Sequence, residues 1–333
     1  MTLTLVIPVC NDTALLRRLL FQVRHMSCVE AIIVVDDASD VQVTPAAILP
    51  ADGSLDGQLT LIRHDQRRGP GVCRNRAIGR VATTHLLFVD SDDLLTPELV
   101  GLMDDLKGKS FDFCLFKHAD SRVEHDGGWG QIPYDEALWR RAGVAVGSLH
   151  EASLSQAAIL SQTANYPWNK IYRTGFLHES DARCSEILLH EDIKLHWKSF
   201  LSARKILVSD RIANVHFVLD DGNRLTQRRG RERLSVVDSL NQVAADIRAQ
   251  PALEFSQPFL RFASDLFNWI KDNLEPDLHP ELMQHVRLFL LDQLGEQTPD
   301  ELADGDQHLA DQITTQLQMA KASAVQSKGS PQP

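Results

Sequence analysis

The sequence predicts an α/β protein with a mostly parallel sheet, followed by a helical C-terminal region. Three observations predict it. Short, continuous apolar runs alternate with segments of helical spacing through the first half. Two of those runs stop at acids, Asp36-Asp37 and Asp90-Ser91-Asp92. From about residue 229 onward only helical spacing remains.

The elements follow in order. Leu3-Thr4-Leu5-Val6-Ile7 is rich in strand formers and stops at Pro8. Ala14, Leu15, Leu16, Leu19, Leu20 and Val23 then recur with helical spacing. Ile32 to Val35 is a second strand, Leu59 to Ile62 a third, and Leu86 to Val89 a fourth. A helix is expected from about Gly71 to Val81, and another from Pro97 to about Leu106, with the proline in its first turn. Phe113 to Phe116 reads as a further strand, and Glu191 to Ala203 as a helix. Ile206 to Val208 and Ala213 to Val218 read as two short strands. Amphipathic helices follow at Val236 to Ile247 and Phe259 to Ile270. Apolar strands separated by helices imply a sheet covered on both faces. In such sheets the ligand crevice lies beyond the carboxyl ends of the strands, so Asp36, Asp37, Asp90 and Asp92 should converge there.

Composition narrows the function classes. The chain has 333 residues, 43% of them hydrophobic, enough for one large or two modest domains. Its 34 Lys and Arg against 45 Asp and Glu give a net charge of −11, which disfavours nucleic acid. There is no apolar run long enough to cross a bilayer, and Leu3 to Val9 lacks the basic flank of a signal peptide. Cys10, Cys28, Cys73, Cys114 and Cys184 are scattered, without a CxxC pair, which points to a reducing cytoplasm.

Four segments could carry chemistry. Phe88-Val89-Asp90-Ser91-Asp92-Asp93 delivers three carboxylates within four residues. Hard oxygen ligands at that density suit Mg²⁺ or Mn²⁺ on a diphosphate. Alternatively, Asp93 or Thr96 only caps the helix at Pro97. The acids after Val35 could accept hydrogen bonds from a base or a ribose, or form a polar turn. The Gly69-to-Arg76 segment places flexible glycines before a helix start that bears cations, which suits a nucleotide, or else is a surface turn. Leu189-His190-Glu191-Asp192-Ile193-Lys194 opens a helix with two acids. They complement the helix dipole or supply a general base. His216 stands alone in a strand, where a structural histidine is the commoner case. Arg224, Arg228, Arg229, Arg231 and Arg233 form a basic cluster that suits a phosphate, a lipid surface or a solvated helix face.

Together these segments resemble the family 2 glycosyltransferases of GT-A fold. The matching pieces are Leu5 to Asn11, Ile32 to Ser39, Cys73-Arg74-Asn75, Phe88 to Asp93, Trp168 to Tyr172 and His190-Glu191-Asp192, in that order. The resemblance covers about residues 1 to 220. It implies a nucleotide-diphospho-sugar transferase fold with a Rossmann-like mixed sheet over 1–220. A helical region at 221–320 and a small, polar, disordered tail at 321–333 follow. It implies a donor pocket of Pro8, Asn11, Asp36, Asp37, Arg74, Asp90 and Ser91. It gives a DxD element at Asp90 and Asp92, with Asp92 the direct ligand of Mn²⁺ or Mg²⁺ and His216 near the metal. Asp192 becomes the catalytic base, with Glu191 beside it. Trp168, Asn169 and Lys170 border the acceptor. Ala38-Ser39 replaces the usual Gly-Ser, and Cys73 stands where alanine is typical.

The expected activity is inverting, metal-dependent transfer of a hexose-like sugar from a UDP-sugar to an acceptor hydroxyl. The acceptor would be a glycan or glycolipid of surface polysaccharide or glycoconjugate synthesis. The expected setting is cytoplasmic, with peripheral contact to the inner membrane face and a homodimer through the C-terminal helices. Two other readings compete. A nucleotidylyltransferase would need a Gly-rich loop after the first strand, where Pro8 to Thr13 has no glycine. An inactive nucleotide-sugar-binding scaffold would keep the fold without the transfer.

Overall fold

The structure is a computed structural model. It describes all residues but 145, 146, 148, 219–224, 250–252, 296, 297, 300, 302–304 and 330–333, and all but the side chains of 226, 253 and 324–329 among the rest. Two compact units divide the chain, Met1–Asp221 and Gly222–Pro333.

The first unit is built on one sheet. Its strands are β1 (Leu3–Val9), β2 (Val29–Asp36), β3 (Leu59–Arg63), β4 (His85–Phe88), β5 (Leu94–Leu95), β6 (Phe113–Asp120), β7 (Leu149–Glu151), β8 (Lys170–Arg173) and β9 (Ile206–His216). The order is β3-β2-β1-β4-β8-β6-β9-β5, with β7 also on β9. β1, β2, β3 and β4 pair in parallel, as does β6 with β9. β8 runs antiparallel to both β4 and β6, and β5 and β7 run antiparallel to β9. The sheet is therefore mixed, as the family resemblance implies, and its wholly parallel part ends at β4.

Alternation along the strands explains why they read as continuous apolar runs. Leu3, Leu5, Ile7, Val9, Ile32, Val34, Leu87 and Val89 share one core cluster. Covering that face are Leu16, Leu19, Leu20 and Val23 of the helix Thr13–Val23, and Leu99, Leu102, Met103 and Leu106 of Glu98–Leu106. Intervening residues Val6, Ile33, Val35, Leu86 and Phe88 are equally buried on the other face. There an aromatic group packs, with Phe113 against Tyr172, Phe176 and Phe200 at ring-centroid distances of 5.9, 6.3 and 5.1 Å. A sheet covered twice leaves no polar side to alternate with.

Some boundaries differ from the sequence reading. Pro8 lies inside β1, not past its end. The two strands expected at 206–208 and 213–218 are one strand, β9, in which Ser209-Asp210-Arg211 continues the backbone past a shift in register opposite Phe116-Lys117. The helix after Gly69 spans Pro70–Ile78 and the later one Asp192–Ser202.

The second unit is helical, with Val236–Ala249, Leu253–Asp272, His279–Leu294 and Gln307–Gly329 as its longer helices. The second of these starts before Pro258 rather than after it. The tail expected from residue 321 is helical as far as Gly329, in keeping with the high helix propensity of its alanines, and 330–333 lie outside the described residues. The basic cluster is not one solvated face. Arg233 is buried with its guanidinium over the Trp269 ring, Arg231 pairs with Glu281, and Arg224 lies outside the described residues. Among the described residues, no helix is long and apolar enough to cross a membrane.

Candidate functional site

The two acid-ended strands β2 and β4 flank β1, so their carboxyl ends lie side by side. The chain is bent sharply there. Among the described residues only four other than glycine have positive φ, and three belong to the segments singled out above: Asn11 (62°), Ala38 (54°) and His190 (63°). Asparagine tolerates this region. For Ala38 the conformation costs about 1–2 kcal/mol, which accounts for a glycine being usual at this position. Such strain persists only where surrounding contacts impose it.

Those contacts are visible around Asp36 and Asp37. Asp36 is fully buried and accepts from the backbone of Ser39 and Val43 and from the Arg63 guanidinium. These bonds outweigh the burial that pushes its carboxyl up and hold it below the usual range. Asn11 bonds Asp40 in both directions, its amide donating at 3.0 Å and its oxygen accepting at 2.8 Å, and its backbone donates to the Ser39 hydroxyl. Asp37 accepts from His64 Nδ1 at 2.8 Å and from the backbone of Arg68 and Gly69. That fixes the turn entering the helix Pro70–Ile78. Pro8 is buried in β1.

Arg74, on that helix, joins the two acid segments. Its guanidinium donates to Asp90 at 2.7 Å and to Glu191 at 2.9 Å, and the residue is 4% exposed. The two acids raise its pKa against the burial that lowers it. Thus the end of β4 and the start of the helix Asp192–Ser202, a hundred residues apart in sequence, meet on one cation. Gly71 permits the approach. A Cβ there would stand 2.7 Å from both Glu191 Cγ and the Ser185 carbonyl. We expect Gly71→Ala to destabilise the fold by about 1–3 kcal/mol through overpacking, read as a lowered thermal midpoint. An unchanged midpoint would contradict the close packing.

The DxD segment divides its acids. Asp90 takes Arg74, Ser91 is buried, and Asp92 is partly exposed with its carbonyl held by Arg18. Asp93 is fully buried and accepts from His216 Nδ1 at 3.0 Å, the Phe217 backbone at 3.0 Å and Asn214 at 3.2 Å. His216 therefore pairs with Asp93, not Asp92. Burial alone would push its pKa down, but Asp93 more than offsets this and takes it up to about 9. The ring stacks on Trp168 at 4.9 Å, Trp168 stacks on Tyr166 at 4.3 Å, and His118 meets both edge-on.

For a divalent metal, Asp90 and Asp92 offer hard oxygens, and His216 offers Nε2 once its proton there is displaced. These three do not bring ligand atoms within 4.8 Å of one another; among the described residues only Asp37, His64 and Cys73 do so as a group of three. A preformed cage is not required. Mg²⁺-type sites commonly use one or two carboxylates and complete their shell with substrate phosphates, so the donor set fits.

Asp192 opens its helix next to Glu191. Burial and the neighbouring Glu191 charge push its carboxyl up to about 7, while Arg74 and a hydrogen bond from Asn165 pull the other way. Burial also raises Glu191, and its bond to Arg74 offsets this in part. Asn165 was not singled out in the sequence. It lies in a loop before Pro167, and only the fold brings its amide to Asp192 at 2.5 Å. That bond favours the ionised acid. Asn165→Ala should therefore move the acidic limb of the pH–rate profile to higher pH. A limb that stays in place would contradict this.

Trp168, Asn169 and Lys170 are no more than 2% exposed. Lys170 Nζ donates to the Tyr166 carbonyl at 2.6 Å and to Asn169 Oδ1 at 2.7 Å. Burial takes its pKa down to about 7, against the opposing charges of Asp192 and Asp135. These residues are buried and do not stand at an exposed edge.

Comparisons with known proteins bear on the fold. Residues 4–139 match the sequence profile described as glycosyl transferase family 2. A processive diacylglycerol beta-glycosyltransferase of Mycoplasma genitalium is 24% identical over 160 residues, 47% of this chain and 46% of that protein. The match thus spans about half the length of that relative. Among solved structures, S. aureus TarS 1-349 in complex with UDP superposes with a TM-score of 0.68 at 18% identity, over 98% of this chain and 92% of that one. The same fragment in complex with UDP-GlcNAc gives the same TM-score, identity and coverage. The mannosyltransferase PcManGT from Pyrobaculum calidifontis, in complex with GDP-Man and Mn²⁺, superposes with a TM-score of 0.56 at 17% identity, over 98% of this chain and 87% of that one. The chain thus has a GT-A-like fold followed by a helical region, and its residues 4–139 match the glycosyl transferase family 2 profile.

Proposed function

We propose that the protein transfers a sugar from a nucleotide-diphosphate sugar, a UDP-sugar by default, to an acceptor hydroxyl with inversion. The observation that carries this reading is the Arg74 bridge between Asp90 and Glu191. It ties an acid segment suited to a metal and diphosphate to one suited to proton abstraction. The fold neighbours that hold UDP, UDP-GlcNAc, or GDP-Man with Mn²⁺ support the donor class.

In this reading Asn11, Asp36 and Asp37 form the nucleotide side with Pro8, and Ser91 lies under the diphosphate. Asp92 and Asp90, with His216 Nε2 nearby, would hold Mn²⁺ or Mg²⁺. Such an ion, when bound, supplies positive charge against the departing diphosphate oxygens. Asp192 takes the proton of the acceptor hydroxyl, whose oxygen attacks the anomeric carbon from the face opposite the diphosphate. A carboxyl poised near neutrality is well placed for this, since a general base works best with a pKa close to the working pH. Glu191 holds Arg74 and keeps Asp192 from ionising early. Trp168, Asn169 and Lys170 support the acceptor side. The acceptor class is a glycan or glycolipid, reached by peripheral membrane contact if lipid-linked. A homodimer through the C-terminal helices belongs to the same proposal.

The test is donor hydrolysis, which needs no acceptor. A panel of nucleotide sugars should show hydrolysis that is Mn²⁺- or Mg²⁺-dependent, abolished by chelation, and lost in Asp92→Ala. Hydrolysis that survives both chelation and Asp92→Ala would refute the metal assignment. Nucleotide binding with neither hydrolysis nor transfer would favour the scaffold reading.

A further inference from the structure

We propose that Asp37, His64 and Cys73 form a second cation site, distinct from the Asp90–Asp92 segment and suited to a soft divalent ion of the Zn²⁺ class. Three elements converge to make it. Asp37 follows β2, His64 follows β3, and Cys73 sits in the first turn of the helix Pro70–Ile78. Their exposures are 5%, 3% and 0%. One ligand atom from each lies within 4.8 Å of the others. His64 Nδ1 is 2.8 Å from Asp37 Oδ1 and 3.8 Å from Cys73 Sγ. Tetrahedral Zn²⁺, with Zn–N near 2.0 Å and Zn–S near 2.3 Å, sets its ligand atoms roughly 3.5 Å apart. The sulfur–nitrogen spacing is within about 0.3 Å of this, and the nitrogen–oxygen pair needs to open by about 0.7 Å.

The chemistry selects the ion. A mixed oxygen, nitrogen and sulfur set favours Zn²⁺ over Mg²⁺ or Mn²⁺, which prefer oxygen alone. Charge balance suits burial as well. A carboxylate, a thiolate and a neutral imidazole bring two negative charges to a dication, so the filled site is neutral. Filling it releases one proton, from the Cys73 thiol. The imidazole remains neutral, with its proton moved from Nδ1 to Nε2. Nε2 is buried without a hydrogen-bond partner among the described residues, so no neighbour holds the present tautomer, and the N–H formed there gains no acceptor. The second Asp37 oxygen stays with the Gly69 backbone at 2.8 Å, so the carboxylate is already oriented. Occupancy would brace the Arg68–Gly69 turn and with it the start of the helix that carries Arg74.

Co²⁺ is the probe, added to the full-length protein with the donor omitted. We expect one equivalent to give a near-ultraviolet thiolate-to-cobalt absorption with visible bands of tetrahedral intensity. Both should be lost in Cys73→Ser and, with the thiol intact, in His64→Gln. They should persist in Asp92→Ala and in Cys10→Ser, whose sulfur lies near the Asp37 backbone. The absence of a thiolate band in the wild-type protein overturns the proposal, and so does a band that survives Cys73→Ser.

Discussion

Asp192→Asn should abolish transfer and yet make the protein more stable at pH 8. The first effect follows from the proposed chemistry. An amide cannot take the proton of the acceptor hydroxyl, and loss of a positioned base lowers kcat by about 10²–10⁴-fold. Nucleotide binding with Mn²⁺ should be kept, because Asp192 lies on the acceptor side of the proposed site. The second effect follows from the raised pKa. The folded protein holds the Asp192 proton up to about pH 7, whereas an ordinary aspartate loses it near 3.8. Below that lower value both states are protonated and this group adds no pH dependence. Between the two values the folded state binds the extra proton, so stability falls as pH rises. Above pH 7 the full cost of an ionised carboxylate beside Glu191 is present. The asparagine variant escapes it, and its side-chain oxygen can still accept from Asn165. Its gain in thermal midpoint should therefore be near zero at pH 4 and grow through pH 7. An inactive variant that is also less stable at pH 8 would mean that unfolding, not a missing base, explains the loss.

The wild-type profile offers the companion measurement. The acidic limb of kcat/KM should bend near pH 7, and the Glu191–Asp192 pair titrates as a unit. A rate that is flat from pH 5 to 9 would remove Asp192 as the base.

Arg74→Met should be the most damaging single change to the first unit. Methionine fills much of the same volume but leaves Asp90 and Glu191 without their shared cation. Removing one partner from a buried ion pair typically costs about 3–5 kcal/mol. For a unit of this size each kcal/mol moves the thermal midpoint by about 2–4 °C, so a fall of roughly 10 °C is expected. Adding Glu191→Gln to the variant should restore part of the loss, because the orphaned charge is then gone. Arg74→Lys should fall between, since one ammonium cannot reproduce a planar fork that reaches two carboxylates. If Arg74→Met unfolds at the wild-type temperature, the bridge is not holding the two segments together.

How much of this was legible in the sequence follows from what each feature depends on. β1, β2 and β4 could be read because both faces are buried over 5–9, 32–35 and 86–88, where every residue is apolar. β9 could not be read whole, because Ser209-Asp210-Arg211 interrupts the apolar pattern at a shift in register. β8 was hidden in a different way. Lys170 is a lysine at 0% exposure, and nothing local signals that it starts a buried antiparallel strand. The acids at strand ends could be located because strand direction in an α/β sheet decides where they gather. Their partners could not. That Asp93 rather than Asp92 takes His216, that Asn165 reaches Asp192, and that Glu191 pairs with Arg74 all depend on contacts 27 to 123 residues apart. The burial of Trp168, Asn169 and Lys170 likewise follows from β8 lying between β4 and β6.

A crystal structure with a non-hydrolysable UDP-sugar and Mn²⁺ tests the central claim most directly. The account predicts the diphosphate and the ion at Asp92, the anomeric carbon facing Asp192, and Arg74 still bridging Asp90 and Glu191. A nucleotide bound away from Asp92, or an anomeric carbon out of reach of Asp192, would contradict it.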